Sequence, residues 1–451
     1  MAQAIQVEKS SGRGMWGFTV MWFGQTVSML GTDLTAFALG VWIYQNTGSV
    51  TQYSLIILCA KLPSIALAPI AGAIIDRHDR RWLMILSNAC AALCTMTLSL
   101  LFYQGWLRLW HICVVMVVLS MSESILRPAF NASVSLLVPK RHLGRASGMV
   151  QSGQAAAQIL APLMAGVLIT TIQMQGVLVI DFFTYVVATA ALLVVRIPSP
   201  ETTAETAAAK GSLLREAAFG WKYVIARPGI FALLGFLAVT NFIVSVSNIL
   251  ITPLVLSFAD PRTFGIVLSV TGTGVLVGGL VMSLWGGPKR RIYGVVFYGV
   301  VQGVSLIFQG LWPSAVLITA ALFFAAFSAP VMNASFVPIL QSKTPPDVQG
   351  RVFAAVRLMS WGSVPIAYLL AGPLSDRVFE PLMAAGGPLA GSVGRLIGTG
   401  PGRGIALLYM LMGVVMLLAT LRTYLYPRVR NIENEMADAI PDEEPAVAAG
   451  G

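Results

Sequence analysis

The sequence predicts an all-α integral membrane protein in which twelve transmembrane helices form two pseudo-symmetric six-helix bundles. Three observations carry this. The 451 residues are 56% apolar and only 11% charged, against about 25% charged in soluble domains. Apolar runs of about 20 residues or more, each long enough to cross a hydrocarbon core, follow one another with brief polar interruptions. One pattern also occurs twice: Pro128, Asn131, Ala132 and Ser133, followed by Gly144 and Arg145, returns as Pro330, Asn333, Ala334 and Ser335, followed by Gly350 and Arg351. The copies lie about half a chain apart, which assigns them to one structural position in two related halves.

Taken in order, the first-half helices fall near 16–44, 52–75, 82–103, 109–137, 147–170 and 176–196. Those of the second half fall near 229–257, 263–285, 292–311, 314–341, 352–375 and 404–427. The first run follows Lys9 and Arg13, is too long for a signal-peptide core and lacks a small-residue cleavage site, so it reads as a retained helix. This gives an N-terminal bundle over 1–196, a linker over 197–228, a C-terminal bundle over 229–428 and an acidic tail over 429–451. The linker from Ser212 has the spacing of an amphipathic helix, either a tether with an amphipathic end or a binding element. The tail, rich in Pro and Ala after Arg430, reads as disordered. The Gly- and Pro-rich loop 376–403 is the longest external segment.

The net charge of +10 does not point to nucleic acid, because the basic residues flank the apolar runs. Of 29 lysines and arginines, 19 lie in the N-terminus, the linker, the tail and the loops on their side. Five lie opposite: Arg108, Arg262, Arg377, Arg395 and Arg403. Basic loops stay cytoplasmic, so both termini are expected there. Cys59, Cys90, Cys94 and Cys113 lie inside apolar runs and read as small buried hydrophobes without a redox or metal role. His78, His111 and His142 lack metal-ligand spacing, and neither a catalytic constellation nor a phosphate-binding glycine loop is present.

The second run closes on GAIIDRHDRR, and here the chain resembles the major facilitator superfamily. Gly72, Asp76, Arg77, Arg80 and Arg81 match that family's loop signature, while Asp79 replaces its common glycine. That departure is similar to the macrolide-efflux and enterobactin-exporter branch. The resemblance implies alternating access between two six-helix halves. Physically, Asp76 at a helix end could meet the amides of a helix starting near Arg351 and latch one state, or serve only as charge that holds the loop inside. The second half has Gly286 at the matching place, with Arg290 and Arg291 aligned to Arg80 and Arg81. In the fifth run, Gly148, Ala157, Ala161, Pro162, Ala165 and Gly166 follow the spacing of the family's antiporter signature, with alanine for three of its glycines. The alternative is generic small-residue helix packing, with Pro162 permitting a bend.

Four ionisable residues stand out inside the runs: Asp33, Lys61, Glu123 and Arg127. A charge at mid-membrane is costly, so such residues face a cavity or one another. Asp33, among Gln25, Thr26, Ser28, Thr32 and Thr35, is the foremost candidate for proton coupling or cation binding, against a structural hydrogen-bonded acid. Glu123 and Arg127 are one turn apart in the order that suits a helical ion pair; the other reading is a switch in which protonated Glu123 frees Arg127 for an anion. Lys61 could pair with Asp33 or snorkel outward. In the seventh run Asn241, Ser245, Asn248 and Thr252 form a polar stripe, facing a cavity or joining helices.

The expected function is secondary transport driven by a proton gradient, without a bound cofactor, that exports an amphipathic drug, macrolide or siderophore-like molecule across a bacterial inner membrane. The expected partners are the bilayer, the substrate and protons, with no nucleic acid, and the chain acting as a monomer. The alternatives are a lipid or lysophospholipid flippase of the same architecture and a non-transporting receptor or scaffold.

Overall fold

Within hydrocarbon a helix satisfies its own backbone N–H and C=O groups, so each apolar run has one economical conformation. The computed structural model describes residues 2–195, 197 and 221–435, and among them there is no strand. The main helices are α1 (Ala2–Thr47), α2 (Val50–Arg77), α3 (Arg80–Tyr103), α4 (Leu109–Leu137), α5 (Leu143–Thr171) and α6 (Gln173–Val194). They continue as α7 (Pro228–Leu256), α8 (Pro261–Trp285), α9 (Ile292–Leu311), α10 (Ala315–Ser342), α11 (Pro346–Trp361), α12 (Val364–Leu374) and α13 (Arg403–Leu425). Among the described residues, 11 helices are long and apolar enough to cross a membrane.

The run expected near 352–375 differs: it is broken into α11 and α12 at Gly362 and Ser363. Pro365 explains the break, since it has no N–H to give the Trp361 carbonyl one turn earlier. The neighbouring Ser360 carbonyl takes the Asn241 side-chain amide at 2.9 Å instead, and Ser363 Oγ donates to the Ala238 carbonyl at 3.1 Å.

The described chain forms two compact units. The first takes Met1–Thr203, Asn248–Thr273 and Tyr368–Ile405. Here α1 packs on α5 and α6, α2 on α4, and α3 on α4 and α6, around Phe18, Met21, Met84 and Leu192. Close approach of α1 and α6 depends on two glycines one heptad apart. A Cβ on Gly24 would lie 2.8 Å from that of Ala191, and one on Gly31 would lie 2.7 Å from Asp181 Oδ1.

The GAIIDRHDRR loop has its own local logic. Asp79, standing where the family pattern has glycine, caps α3 by accepting the Arg81 and Trp82 amides at 2.8 and 3.2 Å. Arg80 donates to the Ala132 carbonyl at 3.1 Å. Arg81 forks onto the Leu192 and Leu193 carbonyls at 2.8 and 2.6 Å, at the C-terminal end of α6, where carbonyls lack helical partners and a cation is favoured. Gly72 has open space around it and Arg77 is exposed. The side chains of Asp76 and Arg351, the expected latch, lie outside the described residues.

Also in this unit, α5 meets the start of α8. A Cβ on Gly166 would lie 2.8 Å from the Pro261 carbonyl oxygen, and one on Gly265 would strike the Pro162 carbonyl. Ser269 Oγ donates to the Ile159 carbonyl at 2.7 Å. Ala157, Ala161 and Ala165 are fully buried, whereas Gly148 is exposed with nothing near it. The segment expected to be loop from 376 instead continues α12 as helix through Ser375–Phe379 and Glu380–Met383, and within it the Asp376 carboxylate accepts from Ser49 Oγ and the Val50 and Thr51 amides at 2.8, 3.1 and 2.8 Å, capping α2. Glu380 accepts the Gly402 and Ile405 amides at 3.2 and 3.1 Å. Its burial pushes the carboxyl above the usual range, more than these amides pull it down.

The second unit takes Ala204–Ser247, Gly274–Ala367 and Ala406–Gly451. In it α9 packs on α10, where a Cβ on Gly294 would strike Ser335 Oγ. Tyr409 donates to the Ser247 carbonyl at 2.6 Å. The repeated motif occupies matching places, with Pro128 inside α4 and Pro330 inside α10. Ser133 and Ser335 are both buried.

Two expectations are corrected. The tail begins with a helical turn at Ile432–Glu435. Ile432 is fully buried there, and Glu433 takes the Arg291 amide on its carboxylate at 2.9 Å and the Lys343 ammonium on its carbonyl at 2.6 Å. Apolar burial and two donors hold this turn where composition alone suggests disorder. The four cysteines are half-buried rather than buried, being on helices with partly exposed flanks. The linker up to residue 220, including most of its expected amphipathic helix, and the tail beyond 435 lie outside the described residues.

Candidate functional site

A cavity of about 280 Å³ lies inside the first unit, walled by α1 to α6. Sequence spacing explains why these helices turn polar atoms inward. On α1, Gln25, Ser28, Thr32 and Asp33 recur at helical intervals on the face toward the cavity, and on α4, Glu123, Arg127 and Asn131 recur one turn apart. The apolar wall comes from Trp22, Met29, Met116, Leu126, Phe130 and Tyr185.

Five of the residues singled out from sequence, Gln25, Asp33, Lys61, Glu123 and Arg127, line this one space. Arg127 Nε donates to Glu123 Oε1 at 2.7 Å along α4, leaving part of each side chain open to the cavity. Asp33 feels the charges of Arg127, Glu123 and Lys61. The Gln25 amide nitrogen faces the cavity wall buried and without a partner among the described residues. Such a donor is costly to leave unmade and is satisfied by a bound group or water. Two hydrogen bonds set the helices around it: Trp22 Nε1 to the Met149 carbonyl at 2.9 Å, and the Thr32 and Tyr185 hydroxyls at 2.7 Å.

The polar stripe of the seventh run does not line this cavity. Asn241 is committed to the Ser360 carbonyl, Ser245 is buried, Asn248 is exposed, and Thr252 meets the Tyr53 hydroxyl at 3.0 Å. His111 also has a local role, accepting the Arg108 amide at 3.1 Å at the start of α4.

Sequence reasoning missed Asp181. It lines the same cavity from α6 and is 2% exposed. The signal was present: a single carboxylate within the otherwise apolar stretch GVLVIDFFTYVV.

The site holds acids, a lysine, an ion pair and an amide around an apolar-walled space, with no group of three or more metal-binding side chains among the described residues. Comparison with known proteins is consistent with such a binding cavity. The chain is 26% identical over 365 residues to macrolide efflux protein A of Streptococcus pyogenes, covering 80% of this chain and 90% of that one. It is 21% identical over 368 residues to the multidrug efflux pump Tap of Mycolicibacterium fortuitum, covering 78% and 88%. Among solved structures, the nucleoside transporter NupG superposes with a TM-score of 0.68 at 10% identity, over 91% of this chain and 99% of that one. A bacterial homologue of the human lysosomal transporter Spinster gives 0.63 at 14% identity, over 91% and 97%. The Major Facilitator Superfamily profile matches residues 21–369. The chain therefore belongs to the Major Facilitator Superfamily and is a multi-pass membrane transporter rather than an enzyme.

Proposed function

We propose that this transporter exports amphipathic small molecules, of the macrolide or drug class, from a bacterial plasma membrane in exchange for protons. The observation that carries the reading is the convergence of Asp33, Lys61 and the Glu123–Arg127 pair on one apolar-walled cavity within the first unit. Charges in a membrane interior are retained where they bind or relay something. Aromatic and aliphatic walls suit the apolar body of a substrate, and the unpartnered Gln25 amide suits a hydroxyl or carbonyl on it. The named activities of the relatives support efflux of such compounds.

In this reading Asp33 takes a proton from outside and gives it up inside, so substrate and proton occupy the cavity in turn. The two six-helix halves alternate access as a monomer, with Asp76 latching the cytoplasmic side, and the basic loops support cytoplasmic termini.

The test is uptake of a radiolabelled macrolide into everted membrane vesicles carrying the protein. An imposed proton gradient, acid inside, is expected to drive accumulation that a protonophore abolishes and Asp33→Asn reduces at least tenfold. Gradient-independent uptake, or gradient-independent translocation of a fluorescent lysophospholipid in its place, overturns the reading.

A further inference from the structure

Asp181 is the buried acid that the scheme above leaves unused, and its hydrogen bonding is unusual. Three hydroxyls neighbour it: Thr95 Oγ1 at 3.4 Å from Oδ2, Thr184 Oγ1 at 3.4 Å from Oδ1, and Thr35 of α1. A hydroxyl has one proton to give. Thr184 Oγ1 lies 2.7 Å from the carbonyl of Asp181 itself, and Thr95 Oγ1 lies 3.1 Å from the Ala91 carbonyl. Thr95 and Thr184 thus each share one proton between a main-chain carbonyl, at the shorter distance, and the carboxyl. No cation lies within 4.0 Å of Asp181 among the described residues. An ionised carboxylate would have only hydroxyls and no cation to receive its charge there, whereas a protonated one could itself donate to a threonine.

The surroundings also hold this carboxyl in place. Gly31 of α1 leaves just enough room for Oδ1, since a Cβ there would approach it to 2.7 Å. Asp33 acts on it from α1, and Tyr185 lies one turn along its own helix with Cys94 of α3 beside that ring. Around the same cavity are Glu123 and Arg127 on α4 and Lys61 on α2, while α5 contributes the uncharged Val150 and Gln154.

We propose that Asp181 is a second proton-carrying carboxyl of the transport cycle, working beside Asp33. A proton delivered through the cavity forms an O–H bond on the Asp181 carboxyl, which then donates to Thr95 or Thr184. When water or a cationic part of the substrate reaches the carboxyl, that bond breaks and the proton passes to cavity water. This rests on the antiport reading, and the experiment separates the two.

Purified protein in weakly buffered detergent solution, with a soluble pH dye, reports protons released when a macrolide binds. The wild type is expected to release protons, with the amount about halved in Asp181→Asn and in Asp33→Asn, and abolished in the double variant. Release is expressed per macrolide bound, read by equilibrium dialysis, because asparagine keeps the shape of the side chain but not its charge. Unchanged release from Asp181→Asn overturns the proposal. If that variant does not fold, Asp33→Asn/Glu123→Gln decides: residual release that fades as the starting pH rises supports Asp181, and complete loss overturns it. Absence of release from the wild type instead counts against the antiport reading.

Discussion

The carboxylate of Asp376 accepts the backbone amide of Thr51 at 2.8 Å, joining two points 325 residues apart in sequence. The same carboxylate holds Ser49 Oγ and the Val50 amide, so the helical turn Ser375–Phe379 that continues α12 supplies the acid that the first turn of α2 lacks. Asp376→Ala should lower stability by about 1–2 kcal/mol, the usual cost of losing a cap. Thermal unfolding in detergent checks this, and an unchanged midpoint contradicts the capping role.

Gly166 and Gly265 face each other where α5 crosses α8, with a Cβ on either one placed against the partner's backbone. Backbone cannot rotate aside as a side-chain tip can, so Gly265→Ala should cost about 1–3 kcal/mol through overpacking. Gly148→Ala, in open space, should cost almost nothing. Paired melting curves distinguish a specific crossing from a general sensitivity of α5.

Arg81 joins the loop after α2 to the end of α6 through two carbonyls. Lysine can carry the charge but not the two-pronged geometry. Arg81→Lys should therefore retain part of the stability that Arg81→Ala loses, about 1–2 kcal/mol for the latter. Equal destabilisation by both variants would show that the fork, rather than the charge, is what matters. Hydrogen exchange at the end of α6 gives the local readout.

Glu380 sets a pH dependence of known sign. Burial raises its folded-state carboxyl above the ordinary value of 4.5. The folded state thus holds the proton more tightly than the unfolded state. Stability from this group is full below about 4.5 and is lost as pH rises through the raised folded value. Glu380→Gln should flatten that slope, measured as melting temperature against pH. A slope unchanged by the substitution would assign it to another group.

The helices were legible because lipid leaves an apolar run few alternatives, and ends such as Leu109–Leu137 agree with the expected 109–137. The charged residues of the first four helices were legible because each is expensive where it stands. What escaped depended on partners distant in sequence or on signals outweighed by their surroundings. Asp181 is one acid in a strongly apolar stretch, and only the folded chain shows that threonines of α1, α3 and α6, and no cation, surround its carboxyl. Asp376 opens a segment whose composition suggests a loop but which continues α12 as helix, and its role exists solely with respect to α2. Asn241 reads as part of a polar stripe until Pro365 leaves the region around Ser360 in need of a donor.

That last pairing has a mechanical consequence. With 16 residues, α11 reaches roughly 24 Å at about 1.5 Å per residue and does not alone span a hydrocarbon core of about 30 Å, whereas α12 runs on without a break through Ser375–Phe379 and Glu380–Met383. The segment crosses as an articulated strut whose elbow carries its own hydrogen bonds. Flexing there can proceed without presenting a bare carbonyl to lipid, so the elbow is a place where the helix can change angle at little electrostatic cost.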